Sequence, residues 1–143
     1  MELKISDYQF GERPEVTKPS PEILSVLGES GIRKLIDEHY NLLKLSKFNP
    51  LFPQEDEEFE AAKLRSSDFF IQILGGPEYF NKNRGQPKMI NRHANFKITK
   101  EARTVWLECY QILLPKLDMS EELILSFWNY LNVFSSWMVN SKE

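Results

Sequence analysis

The sequence contains a single cysteine, Cys109, and only two histidines, His39 and His93. One cysteine cannot form an internal disulfide, and such scarcity favours a reducing compartment, so we expect a cytoplasmic protein. No apolar run approaches the roughly 20 residues that cross a bilayer, and the first residues lack the apolar stretch of a signal peptide. The net charge of −3 leaves no basic excess for nucleic acid. We therefore expect neither a membrane nor nucleic acid as a partner.

Several motifs that carry chemistry are also missing. The chain has no Walker loop and no dinucleotide-binding glycine motif after a strand. Two widely separated histidines and one cysteine give no zinc-ligand spacing. No spacing points to a Ser, His and Asp triad either, although spacing alone does not exclude one. At 143 residues, the chain has the length of a single domain with a substantial core.

Apolar residues recur at three- and four-residue steps in four long stretches, which predicts an all-α domain. No segment alternates at period two over the length of a sheet. Thr99 and Ser120 are placed to cap the helices that follow them. The predicted inward faces are Ile32, Leu35, Ile36, His39, Tyr40 and Leu43; Phe59, Ala62, Ser66, Phe69, Phe70 and Ile73; Ala102, Val105, Trp106, Cys109 and Leu113; and Leu123, Phe127, Tyr130, Leu131, Phe134 and Met138.

The chain divides into an N-terminal extension, residues 1–19, and a helical domain, residues 20–143. The extension is polar and carries glycine and prolines, so it is predicted to be an arm that either packs on the domain or stays mobile. Ser20 followed by proline and glutamate is typical of a helix start. That first helix is predicted to be short because Gly28 and Gly31 interrupt it.

The most informative stretch lies between Gly75 and Trp106. It contains GGPEYFNKNRGQP, then RHANFKIT around His93, then the W-L-x-C element that begins at Trp106. Spacing alone does not reveal the role of His93, since a lone histidine beside an apolar residue is more often packed or exposed than a ligand. Together, however, these elements resemble the truncated (2/2) haemoglobins, and most closely their group II. This resemblance extends from about Ser20 to the C-terminus.

The resemblance implies a bacterial globin-like fold: a two-over-two helical sandwich with a short first helix and a loop-borne proximal histidine. His93 matches the family's proximal ligand of the haem iron. The cofactor would be haem b, held without thioether links because Cys-x-x-Cys-His is absent. The residues implied to contact the haem are Phe52, Arg65, Phe69, Phe70, Tyr79, Met89, Arg92 and Phe96. Arg65 and Arg92 would pair with the propionates, although either could equally be a plain surface arginine.

The resemblance also assigns the distal side. Tyr40 and Trp106 match the family's hydroxyl and indole N–H that face the iron's ligand, and Ser66 is a weaker third donor. Both aromatic residues could instead be ordinary core side chains. Ala62 takes the position of the vertebrate distal histidine, so it would govern ligand access rather than donate. His39 stands where the family usually has phenylalanine, and is expected to be a packing or surface variant unless it reaches the pocket.

The implied function is binding of oxygen, nitric oxide, carbon monoxide or peroxide at a five-coordinate iron. Two distal donors suggest tight oxygen binding with slow release, which suits redox chemistry or sensing better than bulk transport. Whether the protein is an enzyme stays open. A nitric oxide dioxygenase-like or peroxidase-like activity would need a separate reductase, since the chain has no flavin or nicotinamide domain. The alternative is a haem-free helical adaptor that kept the globin fold and docks through its last helix.

Overall fold

The computed structural model describes residues 1–142, which contain six α-helices, two short 3-10 turns and no strand. This confirms the prediction of an all-α fold. The helices are α1 (Glu22–Lys44), α2 (Asp56–Ile73), α3 (Tyr79–Arg84), α4 (Met89–His93), α5 (Lys100–Leu113) and α6 (Glu121–Met138), and the 3-10 turns are Asn49–Leu51 and Leu114–Lys116. No helix in this part of the chain is long and apolar enough to span a membrane.

Two of the predicted caps are formed. The Thr99 hydroxyl oxygen accepts from the backbone N–H of Ala102 at 3.1 Å, and Ser120 accepts from the N–H of Leu123 at 3.3 Å. Each cap satisfies a donor that the first helical turn leaves unpaired, which is why α5 and α6 begin there. The acidic run that opens α2 lies near the positive end of its helix dipole, where carboxylates are stabilising.

The first helix differs from the prediction. Only Gly28 interrupts α1, with φ 70° and ψ 169°, whereas Gly31 stays helical. A single glycine in this conformation is enough to redirect the chain, and a glycine with ordinary helical angles costs a helix only about 1 kcal/mol. Ser20 lies one residue outside the cap position, which Pro21 occupies. The short first helix is thus the few residues of α1 that precede Gly28.

The four long helices form two pairs that enclose the core. Helix α1 packs on α2 and on α5, and α5 packs on α6. The side chains that seal these contacts are completely buried, among them Ile32, Ile36, Leu107, Phe127 and Leu131. The short helices α3 and α4 connect α2 to α5, and α4 rests against α6. A space is left between the pairs, next to α4.

The N-terminal arm packs on the domain, which decides between the two possibilities left by the sequence. The indole N–H of Trp128 donates to the carbonyl of Lys4 at 3.1 Å, and that of Trp137 donates to the carbonyl of Pro14 at 2.8 Å. Leu3 joins the hydrophobic core. The arm therefore runs along α6 and is held to it by two tryptophans.

Arg103 is the third anchor of the arm. Its guanidinium donates to the carbonyl of Ser6 at 2.8 Å, to Ser135 Oγ at 2.9 Å and to both oxygens of Asn132. The Asn132 side chain in turn accepts from the backbone N–H of Ser6 at 3.0 Å. Burial lowers the pKa of Arg103, and the nearby Tyr8 and Asp7 act in the opposite direction. A buried charge is tolerated only when it is hydrogen-bonded. The acceptors that stabilise the Arg103 guanidinium come from the arm and from α6 together.

Candidate functional site

The space between the helix pairs is a cavity of about 660 Å³. All six helices contribute to its walls, together with the segment that joins α1 to α2. The cavity is lined by all but one of the residues that the sequence assigned to the site. These are Tyr40, Phe52, Ala62, Arg65, Ser66, Phe69, Phe70, Met89, Arg92, His93, Phe96 and Trp106. Elements distant in sequence thus converge on one mostly apolar chamber.

Tyr79 is the exception among the residues that the sequence assigned to the haem. It does not line the cavity; instead its ring lies under the Arg33 guanidinium, 5.7 Å from ring centroid to Cζ. The neighbouring Glu29 carboxylate raises the pKa of the Tyr79 hydroxyl, with burial adding to the effect and Arg33 opposing it. Tyr79 begins α3 and packs toward α1, so it is a structural contact between those two helices.

His93 is the last residue of the five-residue helix α4, not part of a loop as the sequence suggested. A helix of five residues that follows Gly85 and Pro87 is too short to produce a hydrophobic period. The ring atom Nδ1 lies 2.7 Å from the Met89 carbonyl oxygen. A carbonyl only accepts, so Nδ1 carries the proton and Nε2 keeps its lone pair. Metal-binding histidines are commonly oriented by such a bond from the other ring nitrogen.

Tyr40 reaches the cavity from α1 and is surrounded by aromatic rings. Its ring meets those of Phe52 and Phe59 edge-on, at centroid distances of 5.6 and 5.8 Å. Burial raises the pKa of the Tyr40 hydroxyl, while the Ser66 side chain and the charge of Arg65 lower it. The hydroxyl therefore stays protonated near neutral pH and can donate. Ser66, one of the predicted site residues, lies close enough to influence it.

Trp106 differs from the other two tryptophans in one respect. Trp128 and Trp137 donate their indole N–H groups to backbone carbonyls of the arm. The Trp106 indole N–H has no acceptor among residues 1–142, yet Trp106 lines the cavity. An indole N–H in a protein interior usually finds a partner. This one is consequently free to donate to a molecule inside the cavity.

His39 is fully buried and also lines the cavity. Of the alternatives that the sequence left open, it is thus a packing residue that reaches the chamber. Its ring stacks on Tyr110 with centroids 3.7 Å apart and meets Trp106 edge-on at 5.1 Å. The Nε2 atom lies 2.9 Å from the Trp106 carbonyl oxygen, so Nε2 carries the proton. Burial lowers the pKa of His39 to about 3, and the bond to Trp106 opposes the shift only partly. His39 is therefore a neutral spacer that holds Trp106.

The two arginines assigned to the propionates differ in whether the guanidinium group is already hydrogen-bonded to the protein. The Arg92 guanidinium donates to the carbonyls of Arg84, Gln86 and Pro87, at 2.7, 2.9 and 2.6 Å. It thereby organises the loop before α4. Arg65 makes no hydrogen bond or ion pair within residues 1–142 and lines the cavity. Of the two, Arg65 has the guanidinium available for an acidic group.

Several residues of the cavity wall were missed by the sequence reasoning, among them Tyr110 and Arg84. Tyr110 lies one helical turn after Trp106, so the same periodicity could have found it. Its hydroxyl is buried without a partner among the described residues, and burial, followed by the neighbouring Tyr40, raises its pKa well above the usual value. Arg84 also lines the cavity, and no local signal distinguishes it from a surface arginine.

The site fits a haem. A chamber of about 660 Å³ lies within the range of cofactor pockets, roughly 300–1,000 Å³. Its walls are largely aromatic and aliphatic, as a flat apolar macrocycle requires. His93 presents an unprotonated Nε2, the form of imidazole that binds iron. Arg65 offers an uncommitted cation for a carboxylate.

A two-over-two helical sandwich around an aromatic chamber, with one imidazole on its wall whose Nε2 is not hydrogen-bonded within residues 1–142, defines the truncated globin class. The chain belongs to the bacterial-like globin family, whose model matches residues 25–140. It is 27% identical over 118 residues to the group 2 truncated haemoglobin YjbI of Bacillus subtilis, covering 82% of this chain and 87% of that protein. The predicted family is confirmed, and it implies haem-based ligand binding.

Solved structures share the fold. The crystal structure of phosphate-bound Hell's gate globin IV superposes with a TM-score of 0.88 at 34% identity, covering 96% of this chain and 86% of that one. The truncated oxygen-avid haemoglobin from Bacillus subtilis superposes with a TM-score of 0.76 at 25% identity, covering 85% of this chain and 99% of that one. The sequence prediction of the truncated globin fold is thereby confirmed.

Proposed function

We propose that the protein binds one haem b through Nε2 of His93 and accepts oxygen, nitric oxide, carbon monoxide or peroxide between Tyr40 and Trp106. One observation supports this most strongly. A single cavity is lined by an imidazole whose Nε2 is uncommitted and by an indole N–H that has no acceptor among residues 1–142. Helix α4 brings His93 against α6, whereas Tyr40 and Trp106 arrive from the packed pair α1 and α5. The metal-binding group and the donors thus enter from different elements.

The haem would supply reversible binding of a small gas and one-electron chemistry at five-coordinate iron. This chain's own residues would decide how firmly a ligand is held and how it enters. Trp106 and Tyr40 would donate hydrogen bonds to an oxygen atom in the cavity, with Ser66 supporting Tyr40. Ala62 leaves the passage past α2 open, and Phe52 adds an apolar wall. Two donors in a mostly apolar chamber favour slow oxygen release, so we infer oxygen, nitric oxide or peroxide chemistry rather than bulk transport.

A catalytic cycle would require an external source of electrons. The sequence carries no flavin-binding or nicotinamide-binding motif. Nitric oxide dioxygenase-like or peroxidase-like turnover would therefore depend on a separate reductase. Repeated additions of nitric oxide in the presence of oxygen and a separate reductase distinguish the two classes: an enzyme returns to the ferrous form and yields more than one nitrate per haem, whereas a simple carrier stops as ferric protein after one equivalent.

The haem assignment is tested first with His93→Gly. We expect the purified protein to be red and the variant to lose the five-coordinate imidazole spectrum, which added free imidazole should restore. The matched control is His39→Phe, which removes the other histidine of the same cavity and should keep the spectrum. A colourless protein that takes up no added haem would instead support the haem-free adaptor. An unchanged ferrous spectrum in His93→Gly would remove His93 from the role.

The oxygen assignment is tested with Trp106→Phe, which keeps an aromatic wall but deletes the N–H. A buried hydrogen bond to a partly charged oxygen is worth about 1.5–3 kcal/mol. Since about 1.4 kcal/mol is a factor of ten, oxygen should dissociate roughly 10- to 150-fold faster. Carbon monoxide carries less charge when bound, so its release should change far less. Trp137→Phe, whose N–H is already bonded to the arm, is the control. Equal effects on both gases would reduce Trp106 to a packing residue.

A further inference from the structure

A second concavity, of about 560 Å³, lies on the outer side of α4. Three segments build it: the arm around Phe10 and Arg13, residues 90–97, and the end of α6 with the residues that follow it. We call it the outer groove. Phe96 and Met138 line both this groove and the central cavity, and the other residues that line the two concavities differ. The outer groove is therefore distinct from the chamber that would hold the haem.

The outer groove combines exposed apolar surface with unpaired cations. Phe10, Ile90 and Phe96 are 45%, 40% and 47% exposed, which is unusual for three large apolar side chains in one concavity. Arg13 and Lys97 line the same groove, and neither makes a salt bridge within residues 1–142. None of the groove residues that the structure describes is acidic. The groove is therefore locally positive, whereas the net charge of the chain is −3.

The arrangement of these groups is held by the arm. The Arg13 guanidinium lies 5.9 Å from the centroid of the Trp137 ring, and the Trp137 indole N–H donates to the Pro14 carbonyl at 2.8 Å. These contacts fix the cation beside an aromatic wall. The Lys142 ammonium lies 5.6 Å from the centroid of the Phe10 ring and adds positive charge at the rim. An anion entering here meets positioned cations next to apolar surface.

We propose that the outer groove binds a free acyl carboxylate, a single carboxylate on an unbranched alkyl chain. The apolar side chains would cover the tail, and Arg13 and Lys97 would pair with the carboxylate, for which guanidinium is well suited. A tail-less anion would leave the three exposed apolar side chains in water, and a neutral alkane would leave both cations unpaired. The volume of about 560 Å³ is that of a small-molecule site rather than of a protein interface.

Asn140 joins the outer groove to the segment that follows α4. The Asn140 side-chain amide donates to the carbonyls of His93 and Phe96, at 3.2 and 2.9 Å. Its backbone N–H donates to the carbonyl of Ile98 at 2.9 Å. Asn140 lines the groove and clamps the segment that follows α4. A ligand packed against Asn140 and Phe96 would therefore contact the segment that follows α4.

The test is a titration with decanoate, below its micelle-forming concentration, followed through the three tryptophan indole signals in ¹H–¹⁵N spectra of the diamagnetic carbon monoxide form. Trp137 borders the outer groove, Trp106 borders the central cavity, and Trp128 lies in the core. We expect the Trp137 signal to shift saturably while the Trp106 signal moves little. The readout does not depend on activity and can be repeated without haem. A shift of Trp106 alone would place the acid in the central cavity and overturn the proposal.

Chain length and charge test the chemistry separately. Each buried methylene is worth about 0.8 kcal/mol, so decanoate should bind roughly fourfold tighter than octanoate for every added methylene that is buried. Decanol and inorganic phosphate should each bind at least about tenfold more weakly than decanoate, because each lacks one half of the recognition. Phosphate binding as tight as that of decanoate would refute a role for the tail.

The variants Arg13→Gln and Lys97→Gln should each weaken decanoate binding at least about fivefold. Lys34→Gln, an exposed lysine on α1 outside the groove, should leave binding unchanged. Equal affinity in all three variants would refute the assigned cations. Anionic phospholipid vesicles form the last arm. Binding to vesicles without binding to monomeric decanoate would make the groove a membrane contact and overturn the proposal.

Discussion

Replacing His39 with phenylalanine should remove a specific weakness of the fold at acidic pH. His39 is fully buried, its ring stacks on Tyr110, and burial lowers its pKa from 6.5 to about 3. Its aromatic neighbours Tyr40, Trp106 and Tyr110 carry no charge in this range. About one pH unit or more above 6.5, the imidazole is almost entirely neutral in both the folded and the unfolded chain, so it contributes almost no pH dependence there.

The magnitude comes from the difference in protonation. Between pH 6.5 and about 3, the unfolded chain takes up a proton on His39 that the folded protein excludes. The free energy of unfolding then falls by up to about 1.4 kcal/mol for each pH unit. At pH 4.5 the loss attributable to this group is roughly 2–3 kcal/mol. That is a sizeable part of a typical domain stability of about 5–15 kcal/mol.

The assay is urea unfolding of the wild type and His39→Phe at pH 7.5, 6.5, 5.5 and 4.5 in the same haem and ligand state. The carboxylates and His93 are present in both proteins, so their titration cancels in the difference between the two free energies. That difference should be flat above pH 7 and move in favour of the phenylalanine variant as the pH falls. A difference independent of pH would show that the folded protein accepts a proton at His39 and would refute the reasoning.

Two further perturbations test other parts of the site and its support. Ala62→Trp should slow ligand association at least about tenfold while the haem stays bound, because the wild-type side chain at this point of the cavity wall is only a methyl group. Stopped-flow mixing with carbon monoxide measures the association rate. An unchanged rate would place the ligand entrance elsewhere. Arg103→Met leaves the carbonyls of Ser6 and Asn132 without a donor, which costs about 1–3 kcal/mol each. Urea unfolding should therefore show that the free energy of unfolding falls by at least about 2 kcal/mol. The Trp128 indole proton should also exchange faster with solvent. Unaltered exchange would mean that the arm is held without Arg103.

The helices and most of the cavity lining could be predicted because their signals are local or belong to the family. The face of α2 that carries Ala62 and Ser66 follows from a 3.6-residue period, and Thr99 and Ser120 are capping residues at helix starts. The family resemblance added which of these faces meet. Periodicity cannot say this, since it fixes the direction of a side chain only relative to its own helix.

The parts that escaped prediction depend on contacts between distant elements or on very short ones. Helix α4 has too few residues to show a period, so His93 was expected on a loop. Tyr79 sits at the start of α3, where its direction depends on Arg33 of another helix. The role of His39 follows from its bond to the Trp106 carbonyl, which no sequence pattern reveals. Gly31 was expected to break α1 because sequence does not give its backbone angles.

The anchoring of the arm also sets an order in which the molecule can assemble. Its hydrogen bonds to Trp128, Trp137 and Asn132 join residues 123 to 126 positions apart. Contacts of such separation form late, because loop-closure entropy opposes them until the rest of the chain has collapsed. During synthesis, the arm leaves the ribosome before α5 and α6, the two helices to which it is hydrogen-bonded. We therefore expect the arm to dock last, onto α5 and α6. These two helices would then have formed their walls of the cavity before the arm covers them.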